Sequence, residues 1–167
     1  MLQIREATVD DAEGIASILN AIIGARIYTA LDTPVTVEQE REFIRRFPER
    51  GIFLVAVGGS GRVVGFQDVE PFGTFTHAFD HVGVIGTYVD LDLHRQGIAA
   101  QLFAATYEAA RRKGYEKLFG YVRADNEAGL KAYRKQGFRV IGTAERHARI
   151  DGRYIDETLI ERLLTYN

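Results

Sequence analysis

The order of predicted elements in this 167-residue chain indicates an α/β fold, or α+β under stricter naming. A strand and two helices open the chain, a three-strand meander follows, and helices then alternate with strands. This order is typical of a mixed central sheet of about seven strands, antiparallel at first and joined later by helical crossovers, with helices on both faces. At this length we expect a single domain, residues 1–167.

A capping signal precedes each of the first two helices. The stretch LQIREA alternates as a short strand, and Thr8 and Asp11 are spaced as a capping box before an amphipathic helix in TVDDAEGIASILNAIIG. After the loop ARIYTALDTP, Thr36 and Gln39 repeat the signal ahead of TVEQEREFIRRF, which ends near Pro48. We therefore predict a strand followed by two helices.

A glycine-rich turn separates the next two strands. The β-branched runs IFLVAV and RVVGFQDVE flank GGSG, which predicts an antiparallel hairpin. The aromatic loop PFGTFTHAFDH then leads to a mostly apolar strand, VGVIGTYVD. Together these segments predict the meander.

The second half of the chain alternates helices with strands. The longest helical pattern runs from Gly97 to Lys113, and Gly114 closes it as a C-terminal cap. The strand KLFGYV follows, and then a helix in NEAGLKAYRKQ that stops at Gly137. The segment FRVIGTAERHARIDGRYIDETLIERLL predicts a final pair of strands with DG in the turn.

Composition and charge exclude several classes of protein. A formal net charge of -2 gives no general attraction to nucleic acid or to an anionic membrane. No apolar run approaches the roughly 18 residues of a spanning helix, and the N-terminus lacks a basic start followed by an apolar block. We therefore expect a cytoplasmic protein with neither a nucleic-acid nor a membrane partner.

Residue types also limit the chemistry. The absence of cysteine excludes disulfides, thiolate metal ligands and an acyl-cysteine intermediate. The closely spaced histidines in HAFDH would suit a metal only on a helix, but their flanks predict a loop and a strand. No metal site is expected.

The stretch HRQGIAA lies where a strand passes into the longest helix. Amides at a helix N-terminus lack partners within the helix and attract anions, and the small residues Gly97, Ala99 and Ala100 would let a phosphate approach the main chain. An ordinary strand-to-helix turn explains the same residues equally well. Neither G-x-x-x-x-G-K-[ST] nor G-x-G-x-x-G is present, so nucleoside triphosphate and dinucleotide sites are not indicated.

Two motifs in this half resemble those of the GNAT N-acetyltransferase superfamily. YVDLDLHRQGIAAQLF is similar to the family's acetyl-coenzyme A loop, [QR]-x-x-G-x-[GA], with His94 in place of Gln or Arg. NEAGLKAYRKQGF is similar to N-x-x-[AS]-x-x-x-Y-x-x-x-G-F, with Gly129 in place of Ala or Ser. The first helix, TVEQEREFI and the closing DGRYIDETLIERLL look most like the phosphinothricin acetyltransferase-like branch.

The resemblance implies a site for acetyl-CoA as co-substrate. In the family the two central strands, here GVIGTYV and KLFGYV, splay apart, and the pantetheine arm lies in the gap. The cofactor-binding residues implied are Tyr88, Val89, His94, Arg95, Gln96, Gly97, Ile98, Ala99, Ala100, Asn126 and Tyr133. The resemblance also implies a homodimer.

Direct transfer to an amine poses two proton problems. A protonated alkyl amine must lose a proton before it attacks, and the departing thiolate benefits from a donor. Tyr133 matches the family's tyrosine that acts as general acid, although a ring that only packs on the cofactor would also fit. The branch's strand glutamate has no counterpart in VGVIGTYV, so we select His81 as base from a set that also contains His77, Asp80, Glu70, Asp90 and His147; a water relay is the alternative.

We expect the acceptor to bind among the first interhelical loop, the aromatic loop and the last hairpin. The lining predicted is Tyr28, Phe72, Phe75 and Phe79, which could equally be core residues. Asp156, with Tyr154 nearby, could orient a cationic amine or satisfy a turn.

The sequence therefore predicts an N-acetyltransferase that moves the acetyl group directly to a primary amine of a small molecule, such as an amino acid or a phosphinothricin-like compound. Two alternatives stay open. One is acetylation of a protein N-terminus or lysine, which needs an open groove. The other is a non-catalytic acetyl-CoA sensor.

Overall fold

The computed structural model describes residues 1–164, so the last three residues of the predicted domain lie outside it. Its seven strands form one sheet in the order β1-β2-β3-β4-β5-β7-β6. They are β1 Gln3–Glu6, β2 Ile52–Val57, β3 Val63–Pro71, β4 Val82–Val89, β5 Lys117–Arg123, β6 Arg139–Ile150 and β7 Arg153–Leu163. Neighbouring strands are antiparallel except β4 and β5, which are parallel. The predicted α/β fold with a mixed seven-stranded sheet is confirmed.

The α-helices of this part of the chain are α1 Ala12–Ala25, α2 Val37–Arg45, α3 Ile98–Arg112 and α4 Glu127–Lys135. Both predicted capping boxes form. The Asp11 carboxylate accepts the Thr8 amide at 2.8 Å, and Thr36 and Gln39 bond each other's backbone amides reciprocally. A short 3-10 turn, Val9–Asp11, precedes α1, so the α-helix begins one turn later than the sequence suggests.

Helices cover both faces of the sheet. On the α1/α2 face, Ile15, Ile22 and other apolar residues of α1 pack with Phe53 and Phe66. On the α3/α4 face, Leu102 and neighbouring residues of α3 pack against the other side of the same strands, and Tyr133 of α4 joins them. Strand β2 and most of β3 are thus buried on both sides, as their apolar sequences require, whereas most residues of β6 are exposed.

The final hairpin follows the predicted turn chemistry. Asp151 and Gly152 have φ values of 51° and 78°, and the strands pair directly beyond them at Ile150 and Arg153. Two positive φ values in a two-residue loop define a type I′ turn, which favours an Asp-Gly pair. None of the helices in residues 1–164 has the length and apolar character needed to cross a bilayer.

Candidate active site

A gap opens between the two parallel strands. β4 and β5 pair only from Val82 to Val84 and from Lys117 to Phe119, although β4 continues to Val89 and β5 to Arg123. Beyond these pairs the main-chain groups of β4 that face β5 have no strand partner. The splayed central strands predicted from the resemblance are therefore present.

Alternation along β4 decides which residues offer their main chain to the gap. The Asp90 amide donates to Val64 of β3 at 3.0 Å, and antiparallel pairs alternate, so the Tyr88 main chain also faces β3. Thr87 and Val89 therefore turn their amide and carbonyl groups toward β5. This register agrees with the predicted main-chain contact between Val89 and the cofactor. It contradicts the same prediction for Tyr88, because the Tyr88 main chain faces β3.

The join between β4 and α3 has the geometry of an anion site. The helical hydrogen bonds start with the Gln101 amide donating to Gly97, so the amides of Ile98, Ala99 and Ala100 have no acceptor within the helix. Gly97 has a φ of 80° and no atom within 4 Å of where a Cβ would lie. An exposed loop with free amides at a positive helix end could hold the pyrophosphate of coenzyme A.

The loop between α1 and α2 lies across the open end of the gap. The Tyr28 ring packs edge to face on the His94 ring, with 5.9 Å between the ring centroids. The Tyr28 main-chain carbonyl accepts a hydrogen bond from Asn126 Nδ2 at 3.4 Å. The buried Arg123 side chain reaches the Thr29 carbonyl and forms a bidentate pair with Asp125. This loop therefore bridges the chain segments that follow β4 and β5.

Tyr133 lies on the α3/α4 face beside the gap. Its hydroxyl is 2.9 Å from Thr87 Oγ1, which also accepts a hydrogen bond from Gln67 Nε2 at 2.8 Å. The rings of Phe103 and Phe138 pack edge to face against it. Burial raises the pKa of Tyr133 well above its usual range, so the phenol stays protonated at neutral pH and can donate a proton.

Asn126 has a local structural role in addition to the predicted contact with cofactor. Its Oδ1 accepts the Gly129 amide at 3.0 Å and caps the N-terminus of α4. A Cβ at Gly129 would lie 2.5 Å from Asn126 Nδ2. The Asn126 side chain therefore packs directly against Gly129.

The aromatic residues predicted to line the acceptor site are only partly brought together. Phe72 and Phe79 contact each other at 5.1 Å, and Phe72 also contacts Phe119 of β5 at 5.7 Å, on the α1/α2 face. Phe75 is 83% exposed and projects from the loop, while Tyr28 lies at the open end of the gap. Phe119, which the sequence analysis did not select, connects the aromatic loop to the gap.

The structure corrects the prediction for Asp156. Its carboxylate accepts the Arg146 amide at 2.7 Å, within a bulge of β6 where Arg146 has a φ of 50°. Asp156 also lies on the opposite sheet face from its neighbour Glu157, which pairs with Arg123 on the α1/α2 face. Asp156 therefore accepts a main-chain hydrogen bond in the β6 bulge. It lies on the opposite sheet face from Phe72 and Phe119.

The position of His81 is at odds with the role of base. It is exposed and immediately precedes β4, at the end where β4 and β5 are paired. Thr87 lies six positions further along the chain, a distance of about 20 Å at 3.3 Å per residue. His81 is therefore too far from the Tyr133 hydroxyl to act as the base, and the base must be another residue.

The other candidate bases are mostly engaged or remote. His77 pairs with Asp80 at 2.9 Å in the exposed aromatic loop, and Asp90 pairs with Arg62 at 3.0 Å. His147 lies in the bulge of β6. Glu70 alone of this set lies on the α1/α2 face beside the gap, opposite Val84.

Two carboxylates near Glu70 were missed by the sequence analysis. Asp68 lies two residues earlier on the same face of β3, and Glu40 projects from α2 with 5% of its surface exposed. Alternation along β3 could have shown that Asp68 and Glu70 share a face, but nothing in the sequence places α2 over them. Within residues 1–164, His, Asp and Glu side chains nowhere gather in threes as metal ligands would.

Comparisons with known proteins agree with the fold and the gap. Residues 16–138 match the Acetyltransferase (GNAT) family. An L-methionine sulfoximine/L-methionine sulfone acetyltransferase of Pseudomonas aeruginosa is 28% identical over 162 residues, or 95% of this chain and 92% of the relative.

Solved structures show the same fold. The ribosomal-protein-alanine N-acetyltransferase from Brucella melitensis superposes with a TM-score of 0.89 at 27% identity, over 96% of this chain and 99% of that one. A phosphinothricin acetyltransferase from Sinorhizobium meliloti, in complex with acetyl-CoA, superposes with a TM-score of 0.88 at 17% identity, over 97% and 88% of the two chains.

The separation of β4 from β5 beside the N-terminus of α3 is the arrangement expected of acyltransferases that use coenzyme A thioesters. With the family match over residues 16–138, the chain belongs to the Acetyltransferase (GNAT) family. It is an acetyl-CoA-dependent N-acetyltransferase.

Proposed function

We propose that this enzyme acetylates the primary amine of a small amino-acid-like molecule, with L-methionine sulfoximine and phosphinothricin as the first compounds to test. The observation that supports this most directly is the group of aromatic residues on the α1/α2 face beside the gap. Phe72 packs on Phe119 there, and the loop that contains Tyr28 bridges the segments that follow β4 and β5. An acceptor site closed at one end by a loop suits a small molecule better than an extended peptide. Relatives of similar length are named for both compounds.

In this proposal the free amides of the stretch from Arg95 to Ala100 bind the pyrophosphate of acetyl-CoA. His94 precedes that stretch and Gln96 lies within it, and the main chain of Thr87 and Val89 pairs with the pantetheine arm along the open edge of β4. The arrangement would bring the thioester to the point where β4 and β5 separate.

Tyr133 is proposed as the general acid. Thr87 Oγ1 can donate to the phenol oxygen while accepting from Gln67, which leaves the phenol hydrogen free to point into the gap. The raised pKa of Tyr133 keeps that hydrogen in place until a thiolate forms. The proton would then pass from the phenol to the sulfur as the carbon–sulfur bond breaks.

A second candidate function is acetylation of a protein N-terminus. It is favoured by the similarity to the ribosomal-protein-alanine N-acetyltransferase from Brucella melitensis. A peptide acceptor would need the loop between α1 and α2 to leave an extended groove beside β4. A peptide that begins with alanine therefore belongs in the same assay as the small amines.

The test is a calorimetric titration with acetyl-CoA, followed by thiol release with a panel of acceptors. We expect acetyl-CoA to bind, and L-methionine sulfoximine or phosphinothricin to turn over faster than an alanine-initiated peptide. Faster turnover of the peptide would favour the second function. Binding with no turnover of any amine would favour an acetyl-CoA sensor, and no binding would refute the proposed use of the α3 N-terminus.

Several further features stay predictions. They are a homodimer, a cytoplasmic location, a single domain over residues 1–167, and action without a metal, nucleic acid or membrane. Light scattering on the purified protein tests the first of these. Activity that survives a chelator would agree with the expected lack of a metal.

A further inference from the structure

The carboxyl groups of Asp68, Glu70 and Glu40 on the α1/α2 face of the gap point to a catalytic residue. We propose that Asp68 of β3 is the general base, which removes a proton from the acceptor ammonium on the α1/α2 face while Tyr133 acts from the opposite face. The inference rests on the proposed function, because it assigns a role in the same transfer reaction.

The geometry of β3 and β4 places the Asp68 carboxyl beside the gap. Asp68 pairs with Gly86, two residues beyond the last residue of β4 that pairs with β5. A Cβ at Gly86 would lie 3.1 Å from Asp68 Oδ1 and 3.2 Å from the Tyr88 hydroxyl oxygen. The lack of a side chain at Gly86 therefore leaves room for both oxygen atoms to converge over β4.

The adjacent residue of β4 serves the other face. Thr87 contacts the Tyr133 hydroxyl on the α3/α4 face, whereas Gly86 faces Asp68. Successive strand residues point to opposite faces, so a donor and a carboxylate flank the same point of the gap from two sides. Two separate proton transfers require groups that do not compete for the same proton, and this arrangement provides them.

The environment of Asp68 suits a base that works near neutral pH. Burial, followed by the charges of Glu70 and Glu40, raises the pKa of Asp68 to about 8. Burial likewise raises the pKa of Glu40, and no hydrogen bond to either Asp68 or Glu40 offsets the effect within residues 1–164. The other titratable groups that interact with this carboxyl include Tyr88 of β4 and Tyr133 of α4, with Tyr121 of β5 near Tyr88.

A nearby cation stabilises the charged form of a carboxyl whose pKa is raised, so Asp68 and Glu40 are suited to a cationic ligand. The acceptor ammonium is such a cation. It would lower the pKa of Asp68 while bound and would position its nitrogen next to the thioester.

The proton balance closes with these groups. Asp68 takes one proton from the ammonium, the freed lone pair forms the carbon–nitrogen bond, and the carbon–sulfur bond breaks with its electron pair on sulfur. Tyr133 protonates the sulfur, and the second proton of the nitrogen restores the phenol. The proton on Asp68 leaves to solvent, so the products are an amide, a thiol and one proton.

The experiment compares Asp68→Asn with wild type in thiol-release assays between pH 6 and 10, with L-methionine sulfoximine or the best amine of the panel. General-base catalysis supplies about 10²- to 10⁴-fold, so kcat/KM at pH 9 should fall by about 10²-fold or more. The wild-type rise in kcat/KM near pH 8 should disappear, and the Kd for acetyl-CoA should stay within about threefold. Asp10→Asn, in the exposed turn before α1, is the matched control and should behave as wild type.

A second variant keeps the test independent of the first. Glu70→Gln removes a negative charge near Asp68, so the rise in kcat/KM should shift to lower pH. An Asp68→Asn enzyme that retains both the rate, within about threefold, and the rise near pH 8 would overturn the assignment of the base alone. A wild-type protein that acetylates no amine would overturn the proposed function, and the assignment with it.

Discussion

The two faces of the sheet at the gap satisfy their polar groups in different ways. On the α3/α4 face, Gln67, Thr87 and Tyr133 form a continuous hydrogen-bonded series in which each contact is 2.8–2.9 Å. On the α1/α2 face, Asp68 and Glu40 have raised pKa values because burial is not offset by hydrogen bonds. The first face therefore holds its hydroxyl groups by hydrogen bonds, although Gln67 Oε1 has no partner within residues 1–164, and the second face is complementary to a cation.

This difference indicates which chemical group of the two substrates each face contacts. A hydrogen-bonded series holds a donor in one orientation for a group that arrives in a fixed position, such as a thioester sulfur. Carboxyl groups with raised pKa values oppose folding when they ionise, unless a cation binds beside them. Mutations on the two faces should therefore have opposite effects on stability while both lower activity.

The largest expected effect is that of Tyr133→Phe. Loss of the proton donor should lower kcat by about 10²-fold with little change in the Kd for acetyl-CoA, because the ring still packs on Phe103 and Phe138. Single-turnover thiol release and calorimetry measure the two quantities. Tyr107→Phe is the matched control, since that hydroxyl donates to the Gln136 carbonyl away from the gap. Equal loss of activity in both variants would argue for a packing role of Tyr133.

Thr87→Val should have a smaller effect on rate. It removes the contact that orients the Tyr133 hydroxyl, worth about 1.4 kcal/mol or tenfold in kcat, and leaves the buried Gln67 amide without its partner. The free energy of unfolding should fall by about 1–3 kcal/mol for the same reason. Thr87→Ser should restore both quantities, and failure of that rescue would mean that the methyl group, not the hydroxyl, matters.

The pH dependence of stability should separate the two faces. The pKa of Asp68 is raised to about 8 in the folded protein, so ionisation of this group opposes folding. Its destabilising contribution is absent below the unfolded pKa near 4, grows as pH rises, and is complete above about pH 8. Asp68→Asn should therefore raise Tm relative to wild type more at pH 8.5 than at pH 5. A Tm difference that does not depend on pH would contradict the unpaired state of Asp68.

The smallest effect expected is that of Gly129→Ala, which tests whether the α3/α4 face depends on the cap of α4. The added Cβ would displace the Asn126 side chain from the Gly129 amide at a cost of about 1 kcal/mol, while alanine in place of glycine in a helix gains about as much. The two effects should nearly cancel, so Tm should change by less than about 2 °C in thermal unfolding. Ala128→Gly, at the adjacent position of α4, measures the helix propensity alone and should lower Tm by about 2–4 °C. A rise of about 2–4 °C in Gly129→Ala would show that the cap tolerates the methyl group.

Short-range patterns account for the local structures that were predicted correctly. The glycine before α3, the capping box before α2 and the Asp-Gly turn each depend on residues within about four positions of one another. The two family motifs are also continuous in sequence, and they place Tyr133 and the α3 N-terminus beside the gap. The predictions that the structure contradicts, at Tyr88, His81 and Asp156, concern residues whose orientation or distance from the gap depends on strand register.

The sequence by itself determined the fold class, the order of the elements and the family, because propensity, capping and motif spacing act along the chain. Only the tertiary structure decided where β4 and β5 separate, which main-chain groups face the gap, and that Asp68 lies over Gly86. Those features follow from strand register, which is set by burial of side chains far apart in sequence, and a shift of one residue would turn Asp68 to the opposite face.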